Sequence, residues 1–309
     1  MKSITKILGL LLGIVLVAIP TTSHAESITD ININDHVIEG SVTETIISEY
    51  DMVKNLQNTD SLGLMTQGYS FPEIVEIKSF DYESALKETA RLSRSELLDK
   101  GFTNEAIDAL KSDIDSDWTE EKLRAAGAKL SIQMGINSIS ANKHDWTMFF
   151  MYGWIGSPEI KFTDILGVRA SGATLDGAVA IPNISNVSTA TTQYKYFDGT
   201  YSHELTTTFN KVELNLSEAK FPLLVERYDG KMTQIIGGFG YVYFLHTAPL
   251  SKLTIHLNYG HSTFSFNPSV EISAGSGGIT GGLGINFSPG VSSAGNLVQT
   301  YLPNGLPQN

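Results

Sequence analysis

The stretch WTMFFMYGWI, residues 146–155, decides the fold class of this chain. Its side chains alternate between two sets, and both sets are apolar. A strand with this pattern is expected to be buried on both faces, as in the middle of a layered β-structure. One set contains Trp146, Met148, Phe150, Tyr152 and Trp154, and the other contains Phe149, Met151 and Ile155.

Later segments repeat the two-residue period. KVELNL at 211–216, FGYVYFLH at 239–246 and KLTIHLNY at 252–259 alternate apolar and polar positions, or present a large apolar face. Many short strands joined by hairpin turns are typical of an antiparallel sandwich or barrel, which we predict for residues 131–309. The turn signals are Ser157-Pro158, Asp198-Gly199, Asp229-Gly230 and Tyr259-Gly260.

The glycine-rich stretch SAGSGGITGGLGINFSPG at 273–290 is read as strand rather than as a phosphate loop. Apolar residues and glycine alternate with polar residues and glycine over 279–287, and glycine in a strand indicates a close backbone approach. A dinucleotide fingerprint fails at Thr280, and no helix follows it. Ser276 in AGSGG resembles a nucleophile elbow but also lacks the required helix, so no cofactor is predicted.

Residues 80–130 show helical spacing. SRSELLDKGFTNEAIDALKSD at 93–113 predicts an αα-hairpin with N-caps at Ser95 and Thr103, Gly101 past the first helix and Phe102 in its turn. Residues 26–79 form a polar mixed leader in which a strand is suggested at Ile28–Ile33 and a weak helix at 41–56. The predicted fold class is therefore α+β, with a short helical zone before a mainly antiparallel sandwich or barrel-like domain.

The first 25 residues predict a secretory signal peptide cleaved after Ala25. Lys2 and Lys6 precede an apolar run over 7–19, and small residues follow at the cleavage position. The run is shorter than the roughly 20 apolar residues that span a bilayer. We therefore expect a secreted, extracellular protein.

The composition excludes one class of partner. Without Lys2 and Lys6, 19 basic residues stand against 33 acidic ones, and the net charge changes from −12 to −14. Such an acidic chain is not expected to bind nucleic acid, which needs a basic face. The chain contains no cysteine, so its stability must come from the core.

Two sets of residues are candidates for binding. In DIDSDWTEEKLR, carboxylates at Asp113, Asp115 and Asp117 match the first positions of a calcium loop, although Trp118 and Arg124 replace its glycine and closing glutamate. An acidic helix start explains the same residues.

Aromatic side chains are candidates for stacking on a sugar ligand, and the alternative is that they are core residues. They are Trp146, Tyr152, Trp154, Tyr194, Tyr196 and Tyr201. The histidines lack zinc-site spacing, but His256 and His261 flank a predicted turn and would meet across it.

LSRSELLDKGFTNEAIDALKS at 92–112 followed by DWTMFFMYGWIGSPEIKFTDILGV at 145–168 resembles secreted proteins of unknown function from Gram-positive bacteria. The resemblance covers roughly residues 80–170. It implies export and carries over no functional residue.

Three functions are compatible with the sequence. The first is a secreted, non-catalytic protein that binds a cell-envelope glycan or assembles at the envelope. The second is a membrane-active protein whose strands within 251–288 insert as barrel staves, although Pro268 interrupts one strand and Glu271 must face a lumen. The third is an extracellular hydrolase that uses carboxylates. The sequence leaves the ligand, the oligomeric state and the packing of residues 80–130 on the β domain open.

Overall fold

The computed structural model describes residues 31–197, 202–213, 215–227, 229–262, 269–273, 284–288 and 291–308. The predicted signal peptide, Tyr201, Ser276 and most of the glycine-rich stretch lie outside these residues. The predicted fold class is confirmed, because two antiparallel sheets pack together and a group of short helices precedes most of their strands.

The helices lie in the first half of the chain, where Ile33–Asp35 also forms a 3-10 turn. They are α1 (Glu49–Asn58), α2 (Ser61–Thr66), α3 (Phe71–Ser79), α4 (Tyr82–Thr89), α5 (Arg94–Asp99), α6 (Asn104–Lys111) and α7 (Glu120–Ala126).

The strands begin with one that precedes α1 and continue after α7. They are β1 (Thr43–Ser48), β2 (Lys129–Ile139), β3 (Asp145–Ile155), β4 (Thr163–Thr174), β5 (Val179–Ala180), β6 (Asn183–Ile184), β7 (Thr189–Tyr196), β8 (Ser202–Thr208), β9 (Asn210–Glu213), β10 (Leu216–Pro222), β11 (Leu224–Glu226), β12 (Met232–Leu245), β13 (Leu250–Ser262), β14 (Val270–Ser273), β15 (Gly284–Phe287) and β16 (Val291–Tyr301).

The strands form a two-layer sandwich and a separate hairpin. Sheet A has the order β1-β2-β3-β12-β7-β8, with β6 and β11 also paired to β12. Sheet B has the order β16-β13-β4-β10-β9, with β5 paired to β4. The strands β14 and β15 pair with each other as a third, two-stranded sheet. The main core lies between sheets A and B.

The tryptophan-rich strand β3 lies in the middle of sheet A, as its pattern predicts. Its even-numbered side chains from Trp146 to Trp154 are buried in the core between the sheets. On the opposite face, Phe149 is also buried, with its ring centroid 4.6 Å from that of His36 and 4.9 Å from that of Tyr241. The rings of His36 and Tyr241 therefore cover Phe149 on the outer face of this strand.

The predicted αα-hairpin is present as α5 and α6. Gly101 adopts a φ of +81° after α5, Phe102 is buried, and the Thr103 side chain caps α6. The N-cap of α5 is Ser93 rather than Ser95, because a capping box with Glu96 stabilises the earlier start. These helices share a core with α4, α7 and Ile160.

Two local expectations are wrong. The helix predicted over 41–56 begins only at Glu49, as α1, and residues 43–48 form strand β1, since their β-branched side chains pair along β2. The predicted turn at Tyr259-Gly260 is absent because β13 continues to Ser262 with a register shift at that point. Hence His256 and His261 lie on one strand and do not meet across a turn.

Candidate functional site

The hairpin β14–β15 leaves the sandwich between two neighbouring strands of sheet B. Strand β13 precedes the hairpin and β16 follows it, and these two strands pair up to Ser262 and Val291. Among the described residues, the hairpin strands pair only with each other. We call β14, β15 and the sheet B surface beneath them the hairpin site.

The register of the hairpin places its apolar residues on one face. Val270 pairs with Phe287 and Ile272 pairs with Ile285, whereas Glu271 pairs with Asn286. Directly opposed residues of an antiparallel pair share a face. Val270 and Ile285 are only 3% and 6% exposed, so these two side chains lie against the sandwich.

Two glycines of sheet B allow this close approach. A Cβ at Gly167 would lie 3.0 Å from both Val270 Cγ1 and Ile285 Cγ2. A Cβ at Gly260 would lie 2.5 Å from Val291 Cγ1 and 2.8 Å from Phe287 Cδ1. Side chains at these positions would therefore push the hairpin away from the sheet.

The described residues of the hairpin contact sheet B through hydrogen bonds and one hydrophobic cluster. Two hydrogen bonds between described residues join them: Asn258 Nδ2 donates to the Ile285 carbonyl (3.3 Å), and the Val270 amide donates to Glu218 Oε2 (3.1 Å). The hydrophobic cluster is distinct from the main core. Its members are Ile165, Leu216, Val270, Ile285 and Val291, with Phe287 packed against them.

A buried ionic cluster lies where the hairpin begins. The His261 Nδ1–H donates to both carboxylate oxygens of Asp164, at 2.9 and 3.1 Å, and the Ser262 amide donates to Oδ1 (3.0 Å). The other ring nitrogen, Nε2, is 3.9 Å from Glu49 Oε1. We call Glu49, Asp164 and His261 the root cluster, because His261 and Ser262 end the strand from which the hairpin departs.

The root cluster joins the helical region to sheet B. Glu49 starts α1, and its carboxylate accepts hydrogen bonds from the amides of Glu159 and Ile160 and from the Tyr82 hydroxyl, all at 3.0 Å. Asp164 lies in β4 and accepts a 2.5 Å hydrogen bond from the Tyr259 hydroxyl. The imidazole is therefore faced by Asp164, Glu49, the Trp154 ring at 5.1 Å and the charge of Lys161. The Tyr259 and Tyr82 hydroxyls bind the two carboxylates.

The charges in the root cluster shift its pKa values. Burial lowers the pKa of His261, but the Asp164 charge and hydrogen bond, with Glu49, outweigh it, so the pKa is raised above 6.5. Burial raises the pKa of Glu49 above 4.5, against the lowering effect of His261 and its hydrogen bonds. None of the three side chains is exposed, so a substrate cannot reach them in this conformation. The root cluster therefore links α1 to sheet B at the start of the hairpin segment.

The aromatic candidates are mostly in the interior. Trp146, Tyr152, Trp154 and Tyr194 are buried and belong to the main core, which removes their rings from a surface glycan site. Tyr196 is partly exposed, and its hydroxyl donates to Asp229 Oδ2 (2.9 Å). Tyr201 lies outside the described residues. A glycan-stacking role thus stays a prediction only for Tyr196 and Tyr201.

Asp113, Asp115 and Asp117 are exposed in the connection between α6 and α7. The Lys122 ammonium donates to the carbonyls of Ser112 and Asp113, so a cation from the chain already occupies that turn. In the part of the chain that the structure describes, no three His, Cys, Asp or Glu residues are grouped to hold a metal ion. Cation binding by these aspartates stays a prediction. No helix among the described residues has the length and apolar character needed to cross a membrane.

Sequence reasoning missed the root cluster. Its members are far apart in the sequence, at 49, 164 and 261, and no spacing rule connects them. The available signals were weak: Asp164 interrupts an apolar strand, and His261 follows one.

Comparison with known proteins assigns this chain to no family. No protein-family model matches the chain, and no curated protein matches it significantly. A solved structure titled "Pore forming protein" is 10% identical with a TM-score of 0.22, covering 59% of this chain and 83% of that one. Clostridium perfringens delta-toxin is 5% identical with a TM-score of 0.21, covering 62% and 89%. AvmM, described as catalysing macrocyclization in alchivemycin A biosynthesis, is 9% identical with a TM-score of 0.23, covering 55% and 85%. With such TM-scores these likenesses carry no argument about this chain.

Proposed function

We propose that this protein is a secreted, non-catalytic, membrane-active protein whose segment 263–290 leaves sheet B and enters a lipid bilayer as two staves of a β-barrel pore. The observation that carries the proposal is the hairpin site: the described hairpin strands pair only with each other, and the buried side chains of Val270 and Ile285 pack against sheet B. Envelope-glycan binding and carboxylate-dependent hydrolysis stay predictions that no contact in the described structure favours.

Segment 263–290 connects two neighbouring strands of sheet B. Strands β13 and β16 are antiparallel neighbours that pair up to Ser262 and Val291, so a straightened 263–290 segment would simply prolong their ladder. The segment offers about 12 residues to each strand after a short turn, and a transmembrane β-strand needs about 9–11. The chain can therefore span a bilayer without breaking either sheet of the sandwich.

Apolar and polar side chains alternate along segment 263–290. A membrane barrel presents apolar residues to lipid and polar residues to its lumen. From 263 to 274 every polar side chain has an odd number, and the apolar ones have even numbers; from 279 to 287 the apolar positions are odd. Glu271 belongs to the polar set and would face the lumen. The apolar residues are Phe264, Phe266, Val270, Ile272 and Ala274, then Ile279, Leu283, Ile285 and Phe287.

The register of the β14–β15 hairpin differs from the register that continued β13 and β16 strands would have. In the structure Val270 faces Phe287, whereas continuation of the β13–β16 register would place Phe266 opposite Phe287. The two registers thus differ by four positions. Because side chains alternate with a period of two, an even shift keeps all apolar residues on one face. The face that now contacts sheet B would become the lipid-facing surface.

The inserted strands require several copies of the chain. Backbone groups in a bilayer core must be paired, and only a closed barrel pairs all of them for strands. Two strands cannot close a barrel, so the proposed pore is an assembly in which each copy contributes one hairpin. Because the described hairpin strands form no ladder with sheet B, their release during such an assembly would break no pairing between strands of the sandwich.

The absence of cysteine from the chain permits a direct test. A Cβ at Gly167 would lie 3.0 Å from Val270 Cγ1, close to the roughly 3 Å between a Cβ and the partner sulfur in a disulfide. We expect residues 26–309 to release dye from lipid vesicles. The oxidised Gly167→Cys/Val270→Cys variant should release none until it is reduced, and each single-cysteine variant should be unaffected by reductant. No release by the parent protein, or equal release by the oxidised and reduced double variant, would contradict the proposal.

A further inference from the structure

An exposed apolar surface lies on two consecutive helices near the hairpin root. Leu62 and Met65 of α2 and Phe71 and Val75 of α3 are 74%, 54%, 70% and 50% exposed. Their spacings of three and four residues place each pair on one helix face. Single exposed apolar side chains are ordinary, but two such pairs on consecutive helices indicate an interaction surface. We call these four residues the α2–α3 apolar face.

The exposure is not a result of frayed helices. Leu64 of α2 and Ile74 and Ile77 of α3 form a separate core. Leu56 of α1 and Tyr69 of the α2–α3 connection complete it. Asp60 caps α2 by accepting from the Gly63 amide (2.6 Å), and Glu73 accepts from the Ser70 amide (2.7 Å) at the start of α3. The helices are therefore held with their outer apolar residues directed to solvent.

The position of these helices connects them to the hairpin site. Gln67 and Tyr69, in the connection between α2 and α3, line a cleft together with Val291 and Ser293 of β16. Val291 is also the residue that pairs with Ser262 at the hairpin root. The connection between α2 and α3 thus lies at the end of the sandwich from which the prolonged hairpin would project.

The charge around this face selects its partner. Residues 60–79 contain Asp60, Glu73 and Glu76 but only one basic residue, Lys78. Recognition of anionic lipid depends on clustered lysine and arginine, which this segment lacks. Its large apolar side chains match the residues by which interfacial helices enter the boundary of a bilayer.

We propose that the α2–α3 apolar face is the surface that first contacts an electrically neutral lipid bilayer, before the hairpin leaves sheet B. This inference rests on the proposed function, because the bilayer is chosen as partner by its relation to the hairpin. It adds the kind of membrane recognised and the surface that recognises it.

The test measures flotation of residues 26–309 with phosphatidylcholine vesicles. Leu62→Ser/Phe71→Ser removes two large apolar side chains, and the partition coefficient is expected to fall on the order of 100-fold. The matched control is Leu175→Ser/Val187→Ser, since these side chains are 59% and 62% exposed at the other end of the sandwich. The control should bind like the parent, and so should the oxidised Gly167→Cys/Val270→Cys variant, which cannot release its hairpin.

The outcomes separate this inference from the proposed function. Absence of vesicle binding by the parent, or equal binding by Leu62→Ser/Phe71→Ser, would overturn the inference even if dye release persists. Binding that depends on the α2–α3 apolar face without dye release from any variant would support the inference and contradict the pore. A lower oligomeric state of the serine variant in solution, with vesicle binding unchanged, would instead identify the face as a contact between copies of the chain.

Discussion

The imidazole of His261 lies 2.9 Å from the carboxylate of Asp164, and both side chains are fully buried at the root of the hairpin. One residue later, at Ser262, the pairing of β13 with β16 ends. A charge change at this point is therefore positioned to alter the strand from which the hairpin departs.

The first prediction concerns the dependence of stability on pH. Because the pKa of His261 is raised above 6.5 in the folded protein, its contribution to stability is complete below 6.5 and is lost as pH rises through the folded pKa. The raised pKa of Glu49 acts in the same direction from 4.5 upward. Urea unfolding between about pH 6 and pH 8.5 should show the free energy of unfolding falling with pH. His261→Gln should flatten this slope, and an unchanged slope in that variant would refute the assignment.

The second prediction concerns the Asp164 carboxylate. Asp164→Asn removes the acceptor charge that His261, Tyr259 and the Ser262 amide share. Breaking a buried ion pair should lower the free energy of unfolding by about 3–5 kcal/mol. The control Asp145→Asn changes an exposed residue of β3 and should stay within about 0.5 kcal/mol of the parent. Equal denaturation midpoints for the two variants would show that the pair contributes nothing.

The third prediction concerns the glycine surface under the hairpin. A Cβ at position 260 would come within 2.5 to 2.8 Å of Val291, Ile165 and Phe287. We expect Gly260→Ala to cost about 1–3 kcal/mol through overpacking and to accelerate dye release by weakening the hairpin contact. Gly153→Ala is the matched control, since its Cβ meets only the Ile236 carbonyl at 3.6 Å. Slower release from the Gly260 variant would contradict the stored-hairpin interpretation.

The fourth prediction separates the two faces of the hairpin. Ile285 is buried against sheet B, and the next residue, Asn286, pairs with Glu271. Ile285→Lys should loosen the hairpin yet abolish dye release, because a lysine on the lipid face of a barrel costs about 2–4 kcal/mol at the bilayer midplane. Asn286→Lys should retain release, since its side chain would face the lumen. Similar loss in both variants would argue against an inserted β-hairpin.

Several elements follow from sequence pattern alone because they depend on local physics. The apolar alternation of 146–155 predicts a buried strand, and the Gly101–Thr103 sequence predicts the junction between α5 and α6. By contrast, the predicted turn at Tyr259-Gly260 fails because Gly260 serves close packing against Val291 within a continuous strand. A glycine signals conformational freedom or close approach, and only its neighbours in space distinguish the two.

The amino-acid sequence by itself determined the α+β class, the helical hairpin and the alternating character of the later strands, since these depend on periodicity and capping over short distances. Only the tertiary structure decided that Val270 and Phe287 share a face against Gly167 and Gly260. It also decided that Glu49, Asp164 and His261 meet at the hairpin root. The physical reason is that strand register and burial of charge are properties of contacts between distant segments, which local spacing does not encode.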